Sequence, residues 1–277
     1  MNQRPTMHNP NQPPGLAPRH HRGRSSERGV ALFVVIVFVM LSMLLALWAS
    51  RTSLFNEMVV GNDADYQRAF EAAQALLQDA EMDIRSAEPD PATNKTLDNV
   101  DCSAGGDICR MGLSDFQIPG SKENERVTAL IADLAAKTAT DGCHKGLCIK
   151  RAGVQDFWND KTALKNISAT DVGARYGQFT GAKISSSTEP ANPVLADTSA
   201  WNRGGWYWIE VLPYIKPGTG TNRLIVDATA SGGGGPDVFQ ANLDPNVIYR
   251  ITAVAHGRKD STMVVLQQTY AQQRLKD

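Results

Sequence analysis

The sequence contains, at residues 30–49, an uncharged run of twenty residues, VALFVVIVFVMLSMLLALWA. An α-helix rises about 1.5 Å per residue, so a run of this length spans the roughly 30 Å hydrocarbon core of a bilayer. Trp48 lies near the end of the run, where indole rings favour the membrane interface, and Arg51 follows it. The run therefore predicts a single transmembrane helix.

A basic leader precedes this helix. Residues 1–29 contain five arginines and one acidic residue, Glu27, which sum to +4, whereas the whole 277-residue chain has a net charge of -1. The positive-inside rule places the leader in the cytoplasm and the residues beyond Arg51 across the membrane. A cleaved secretory signal is the alternative, but its apolar region is normally about 7–15 residues long. The leader has no aromatic residues to stack on bases, so we expect no nucleic-acid partner.

Apolar residues continue beyond the run as a stripe along one side of a helix. The later members are three or four residues apart, and charged residues occupy the other side. No proline occurs between Val30 and Pro89, so we predict one helix of about 55 residues, with Gly61-Asn62 as its weak point. The stripe contains Leu54, Met58, Phe70, Ala73, Leu77, Ala80 and Ile84, and the charged side contains Glu57, Asp63, Asp65, Arg68, Glu71, Asp79 and Glu81.

The residues that follow the long helix are predicted to form a head domain of the α+β class. Aromatic and β-branched runs indicate strands, and the turn HGRKD at 256–260 joins the last two as a hairpin. We expect an antiparallel sheet whose apolar face lies on the amphipathic part of the long helix. The predicted elements are a helix at 124–137 and strands at 205–212, 223–227, 246–255 and 261–271. The predicted domains are the leader 1–29, the transmembrane half 30–49, the amphipathic half 50–88 and the head 89–277.

Three aromatic residues stand together in the strand predicted at 205–212. In a strand, Trp206 and Trp208 share one face and Tyr207 takes the other. This alternation favours packing in the core over a flat platform for stacking on a sugar or a base. Glu210 in the same strand is expected to be solvated or paired, not an acid catalyst.

Two features near the start resemble those of type IV prepilins. The segment Arg28-Gly29-Val30 places glycine directly between a basic leader and an apolar helix, as in the prepilin cleavage site. EMVVGNDADYQRAFEAAQALL, at 57–77, resembles PilX-type minor pilins in its acidic residue, its Gly-Asn step and its Ala-rich run. Weaker similarity recurs in GCHKGLC at 142–148, WYWIEVL at 206–212 and YRITAVAHGRKDSTMVVLQQTY at 249–270.

The resemblance implies that the chain is processed before assembly. A membrane-embedded prepilin peptidase would cut between Gly29 and Val30, and the new amino group of Val30 would be methylated. Major pilins carry glutamate at the fifth mature residue, where it neutralises the terminal amine of a neighbouring subunit. Here that position is Val34. A subunit without the carboxylate cannot form this pair, which suits the first place in a filament.

The implied function is that of a minor pilin in a priming or tip complex, with its helix in the filament core. Its partners would be other minor pilins, the major pilin, the prepilin peptidase and an adhesin or tip protein. It would lie in the inner membrane with its head in the periplasm, and after assembly in the extracellular pilus.

Three other functions compete with this interpretation. The minor pseudopilin K of type II secretion has a similar start, but its large helical insertion contrasts with the strand-rich second half here. An adhesin-like binding module would use the loops of the head. A membrane-anchored enzyme is the third, although only His144 and His256 lie beyond the leader and neither belongs to a catalytic motif.

Four cysteines, Cys102, Cys109, Cys143 and Cys148, lie beyond the membrane helix, on its oxidising side. Their even number predicts disulfides, and three pairings are possible. Both short intervals contain glycine, which favours the local pairs, and the second also falls in the family-like Gly-Leu-Cys run. Zinc with His144 is the competing interpretation, but six residues separate the first pair, whereas structural sites use about two to four. We therefore expect no metal and no other cofactor.

Overall fold

The computed structural model describes residues 28–86, 89–90, 92–96, 99–104, 106–110, 113, 116–120, 124–137, 142–186, 191–214, 243 and 246–272. The chain divides into two compact units, residues 1–58 and residues 59–277.

The first helix, α1 (Arg28–Arg85), contributes residues to both units. Its extent confirms the prediction of one long helix. The Gly61-Asn62 step is helical, so it does not interrupt α1. At the end of the helix, the Ser86 N–H still donates to the carbonyl of Met82 at 2.8 Å. Pro89 follows three residues later, where a further helical turn would lack a backbone donor.

Among the described residues of the second unit, five strands form one mixed sheet in the order β1-β2-β3-β4-β5. The strands are β1 (Cys143–His144), β2 (Leu147–Ile149), β3 (Gly205–Pro213), β4 (Val247–His256) and β5 (Met263–Tyr270). The α+β class is therefore confirmed. Neighbouring strands are antiparallel except β2 and β3, which run parallel.

The antiparallel pairing predicted for the C-terminal strands is confirmed for β3, β4 and β5, and the sheet also contains a parallel pair, β2–β3, that was not predicted. The long segment between these strands contains α3 (Lys161–Ile167), and a crossover of this kind allows parallel pairing. The other predicted elements agree closely with the structure. β3, β4 and β5 match three predicted strands, the hairpin joins β4 to β5, and α2 (Asn124–Ala135) matches the predicted helix. The strand predicted at 223–227 lies outside the described residues.

The main core of the second unit lies between α1 and one face of the sheet. The sheet approaches α1 closely at Gly205 of β3, where a Cβ would lie 2.3 Å from Leu76 Cδ1. The core residues of α1 are Ala69, Ala72, Ala73, Leu76, Leu77, Ala80 and Ile84, and those of the long strands include Tyr207, Ile209, Val211, Tyr249, Ile251, Ala253 and Ala255. The predicted contact between the helix stripe and the sheet face is confirmed. Two predicted members of the stripe, Leu54 and Met58, are exposed. The first buried residue along α1 is Asp65.

The opposite face of the sheet carries a second core. Trp206 and Trp208 pack there with Phe157, with Leu164 and Ile167 of α3, and with the two cysteines of the β1–β2 hairpin. Each indole is also satisfied as a donor, since Trp206 Nε1 bonds the carbonyl of Trp201 (2.8 Å) and Trp208 Nε1 that of Ile167 (3.0 Å). Tyr207 lies in the first core, so the alternation predicted for the three aromatic residues is confirmed.

Candidate functional site

The candidate site in the first unit is the surface of α1 itself. All side chains from Val30 to Met58 are exposed, and nearly all are apolar up to Ala49. The hydroxyls on this surface bond within the helix: Ser42 Oγ donates to the Phe38 carbonyl (2.7 Å) and Thr52 Oγ1 to the Trp48 carbonyl (3.0 Å). Polar groups in hydrocarbon need internal partners of this kind. The helix is long and apolar enough to cross a membrane, since an 18-residue stretch of it has a mean hydropathy of 3.2, and it is compatible with a single membrane anchor.

The predicted cleavage site and the fifth mature position lie at the beginning of α1. Gly29 and Val30 are both helical, and the Val30 side chain is 66% exposed. Val34 is 43% exposed and lies one helical turn further on. No acidic residue precedes Glu57 in α1. This first part of the helix therefore offers a neighbouring chain an apolar surface without a carboxylate.

The candidate site in the second unit is a row of buried carboxylates on α1. The first, Asp65, accepts the backbone N–H groups of Arg258 (2.9 Å) and Lys259 (3.0 Å) from the β4–β5 turn. Gly257 precedes these donors, and a Cβ there would lie 2.4 Å from Asp65 Oδ2. Lys259 Nζ also donates to Asn62 Oδ1. The turn is thus fixed to α1 by hydrogen bonds and a close backbone approach.

The second carboxylate, Asp79, holds the loop that follows α3. It accepts the Gly177 N–H (2.7 Å) and the Thr180 hydroxyl. Burial raises the pKa of Asp79 to about 6, although the hydrogen bonds from Thr180 and Gly177 lower it, and the nearby charge of Asp83 adds to the rise. Gly177 has a φ of +73°, and a Cβ there would lie 2.0 Å from the Ala182 carbonyl oxygen, so this loop requires glycine.

The third carboxylate, Asp83, forms a buried ion pair. Arg110 Nε donates to Oδ1 at 2.8 Å and Arg110 Nη2 to Oδ2 at 2.6 Å. The Tyr207 hydroxyl also donates to Asp83 (3.0 Å). The pKa of Tyr207 is raised well above its usual value, mainly by burial and in addition by the negative charge of Asp83. Arg110 donates further to the carbonyl of Lys145 (3.0 Å), and its guanidinium lies 3.7 Å from the centre of the Phe179 ring. Asp83 therefore joins α1, β3 and the segment around Arg110.

The prediction that Asp65 and Asp79 lie on the charged side of α1, away from its apolar stripe, is wrong, since both are buried. Asp83 and Arg110 are functional residues that the sequence reasoning missed. A signal was present, because Asp65, Ala69, Ala72, Leu76, Asp79 and Asp83 follow one another at steps of three or four residues. The acidic residues are part of the buried stripe and serve as acceptors for loops of the head.

Both local cysteine pairs are joined by disulfides, Cys102 to Cys109 and Cys143 to Cys148. The second links β1 to β2 at directly opposed positions. His144, considered above for zinc, packs against the Phe116 ring with 4.2 Å between ring centres. Within the described part of the chain, no group of three or more His, Cys, Asp or Glu residues is arranged to hold a metal ion.

The remaining polar residues of interest are engaged in packing or pairing. Glu210 forms an ion pair with Arg250, whose Nη2 lies 2.8 Å from Glu210 Oε1. Asp63 is exposed whereas Asp65 is buried, so the two point in different directions. Burial, together with the charges of Arg175 and Arg203, lowers the pKa of His256 to about 4, so this residue is neutral at physiological pH.

Comparison with protein families gives two matches to one family. The model of the PilX N-terminal region matches residues 28–78, which is most of α1. The model described as type IV pilus assembly protein PilX, C-terminal, matches residues 135–272, which contain the sheet. No curated protein and no solved structure matches the chain. Since one family accounts both for the helix and for the sheet that packs on it, the chain belongs to the PilX family of type IV pilus assembly proteins.

Proposed function

We propose that this protein is a minor pilin that enters a priming or tip complex of a type IV pilus through the first part of α1. The observation that carries the proposal is the exposed apolar surface of residues 30–49 in a member of a pilus assembly family. In the membrane this surface faces lipid. On assembly it passes into a bundle of similar helices, where close packing supplies the specificity because lipid and helix are equally apolar.

Processing by the prepilin peptidase supplies the mature end of this helix. The proposed cut falls between Gly29 and Val30, and the new amino group of Val30 is methylated. Mass spectrometry of the mature chain from cells with and without the peptidase tests this step. We expect a methylated Val30 end only when the peptidase is present. Gly29→Ala should block the cut, whereas Gly23→Ala, a matched change within the leader, should leave it intact. An uncut chain, or one cut near Ser50, contradicts the proposal.

Val34 is proposed to set the place of the subunit in the filament. It occupies the fifth position of the mature chain, and α1 has no carboxylate before Glu57 that could pair with the terminal amine of a neighbour. A buried amine without its counter-ion is costly. A subunit that cannot offer this pair is therefore best placed first, where no such neighbour needs it.

A pair of substitutions separates charge from polarity at this position. Val34→Glu should let the subunit occupy places further down the filament, and cross-linking to the major pilin should rise along the pilus. Val34→Gln has nearly the same size and no charge, and should leave the subunit at its original place. If the two variants distribute alike, the missing carboxylate has no role in placement.

The proposed partners and orientation follow from the same helix. Other minor pilins and the major pilin present apolar helices of the kind that residues 30–49 would pack against. The basic leader places the N-terminus in the cytoplasm and the head in the periplasm. The two disulfides suit that compartment, where thiols are oxidised.

A further inference from the structure

Two consecutive residues, Cys109 and Arg110, have left-handed backbone conformations, each with a φ of 54°. Residues other than glycine seldom adopt this region, since the Cβ crowds the following carbonyl. The two residues end the short 3₁₀ turn Ile108–Arg110. Such a pair persists only where its surroundings determine it.

The result of this conformation is the burial of Arg110. Arg110 is 2% exposed, and its guanidinium makes two hydrogen bonds to Asp83 and lies against the Phe179 ring. Cys109, immediately before it, donates its N–H to the Phe179 carbonyl at 2.7 Å. A shift of the backbone at these residues would withdraw the guanidinium and leave Asp83 buried without its cation, which is strongly unfavourable.

The partner of Cys109 is itself attached to the turn that follows α1. Cys102 donates its N–H to the carbonyl of Asn94 (2.9 Å), and Asn94 donates to the carbonyl of Asp90 (2.7 Å). Asp101, Ser103 and Gly106 near the disulfide are exposed, whereas the two cysteines are buried. The covalent bond therefore links the Arg110 segment to the turn after α1, beside the Arg110–Asp83 ion pair at the end of the helix.

We propose that the Cys102–Cys109 disulfide is a positioning element for Arg110. While the bond is closed, Cys109 and Arg110 stay left-handed and the guanidinium remains on Asp83. When the bond is open, the two residues relax and the ion pair is lost. Closing it removes one proton from each thiol and passes two electrons to a disulfide-bearing oxidant, which becomes a dithiol. The attachment of this segment to α1 thus depends on oxidation of the two thiols.

The decisive measurement follows the Arg110 Nε–H group in the full chain in detergent micelles. Its ¹⁵N resonance is assigned by its loss in Arg110→Lys. We expect exchange of this proton with solvent to be about tenfold faster or more in Cys102→Ser/Cys109→Ser than in the wild type. The matched control, Cys143→Ser/Cys148→Ser, removes the other disulfide and should leave the exchange rate unchanged. Equal protection in the wild type and in Cys102→Ser/Cys109→Ser overturns the proposal.

A double-mutant cycle distinguishes positioning from simple cross-linking. Loss of the disulfide should lower the urea midpoint clearly in the wild-type background and much less in Arg110→Met, where there is no pair left to position. Equal shifts in the two backgrounds overturn the proposal. If Arg110→Met does not fold, the exchange measurement decides alone.

If the Cys102→Ser/Cys109→Ser chain does not fold, the Cys143→Ser/Cys148→Ser protein is used, since it retains only the disulfide in question. Dithiothreitol then reduces that bond in folded protein: the two sulfurs each take up a proton, and the reagent closes to its cyclic disulfide. Loss of the Arg110 Nε–H protection on reduction supports the proposal, and retained protection overturns it.

Discussion

At Asp79, the cost of burying a carboxylate competes with the hydrogen bonds that offset it. The pKa is about 6 in the folded protein against 3.8 for an ordinary aspartate, so burial prevails. Between these pH values the folded protein keeps a proton that the unfolded chain has released. The contribution of Asp79 to the free energy of unfolding should therefore fall as the pH rises from about 4 to about 6, by on the order of 1–3 kcal/mol, and should level off above that range.

The variant Asp79→Asn isolates this effect. Its amide oxygen can still accept the Gly177 N–H, and its amide group can donate to the Thr180 hydroxyl, but it does not titrate. The His256 imidazole contributes in the opposite direction over the same pH range, because its pKa is lowered to about 4. Urea unfolding at several pH values therefore compares the two chains: the free energy of unfolding of the wild type minus that of Asp79→Asn should fall between about pH 4 and about pH 6. Asp63→Asn removes an exposed carboxylate on the same helix and should retain the wild-type slope. A wild-type slope in Asp79→Asn as well would show that another group is responsible.

At Asp83, removal of the charge leaves a buried guanidinium without its counter-ion. Asp83→Asn should lower the free energy of unfolding by about 3 kcal/mol or more, since a broken buried pair costs far more than an exposed one. Tyr207→Phe removes one hydrogen bond to the same carboxylate but keeps the ring in the core, and should cost less, since a single hydrogen bond to a charged group contributes about 1.5–3 kcal/mol. Urea denaturation of the full chain in micelles measures both. Equal losses would mean that the ion pair contributes no more than the hydrogen bond from Tyr207.

These aspartates also show where sequence patterns stop being informative. Periodicity correctly placed Ala73, Leu77, Ala80 and Ile84 on the buried side of α1. The same period runs through Asp65, Asp79 and Asp83, but it could not identify the groups that make their burial possible, because these are backbone N–H groups and an arginine distant in sequence. Such partners become visible only once the loops of the head are placed.

At the scale of the elements, α1 and β3 approach closely at Gly205. Gly205→Ala should destabilise the second unit by about 1–3 kcal/mol, because the new methyl group would meet Leu76 Cδ1 in a packed core. Gly61→Ala is the matched change in α1, where the nearest atom, Lys259 Nζ, is 3.4 Å from the new Cβ. It should stabilise the helix by up to about 1 kcal/mol. Thermal unfolding of both variants checks the two signs, and a stabilised Gly205→Ala would contradict the packing described here.

The long elements were predictable and the short ones were not. β3, β4 and β5 contain eight to ten residues each, enough for alternation and turn signals to show. β1 and β2 contain two and three residues, which is too few for any period. The parallel β2–β3 pair depends on these short strands, so the sequence could not indicate it.

At the scale of the whole molecule, the proposed function assigns contact with other subunits to the apolar part of α1. The head folds separately around two hydrophobic cores. A membrane anchor alone needs only length and hydrophobicity. An assembly helix also needs a particular surface for close packing. The two requirements can be separated because hydrophobicity is easily kept while the surface is changed.

A chain in which residues 30–49 are replaced by twenty leucines makes this separation. It keeps the leader, Gly29 and the whole second unit, and it should still enter the membrane. We expect it to fractionate with the inner membrane as the wild type does, yet to be absent from sheared pili and to leave pilus number low in cells that lack the native chain. Immunoblots of both fractions measure this, with the native chain restored in the same cells as the control. Recovery of the leucine variant in pili at the wild-type level would show that the helix serves only as an anchor and that recruitment resides in the head.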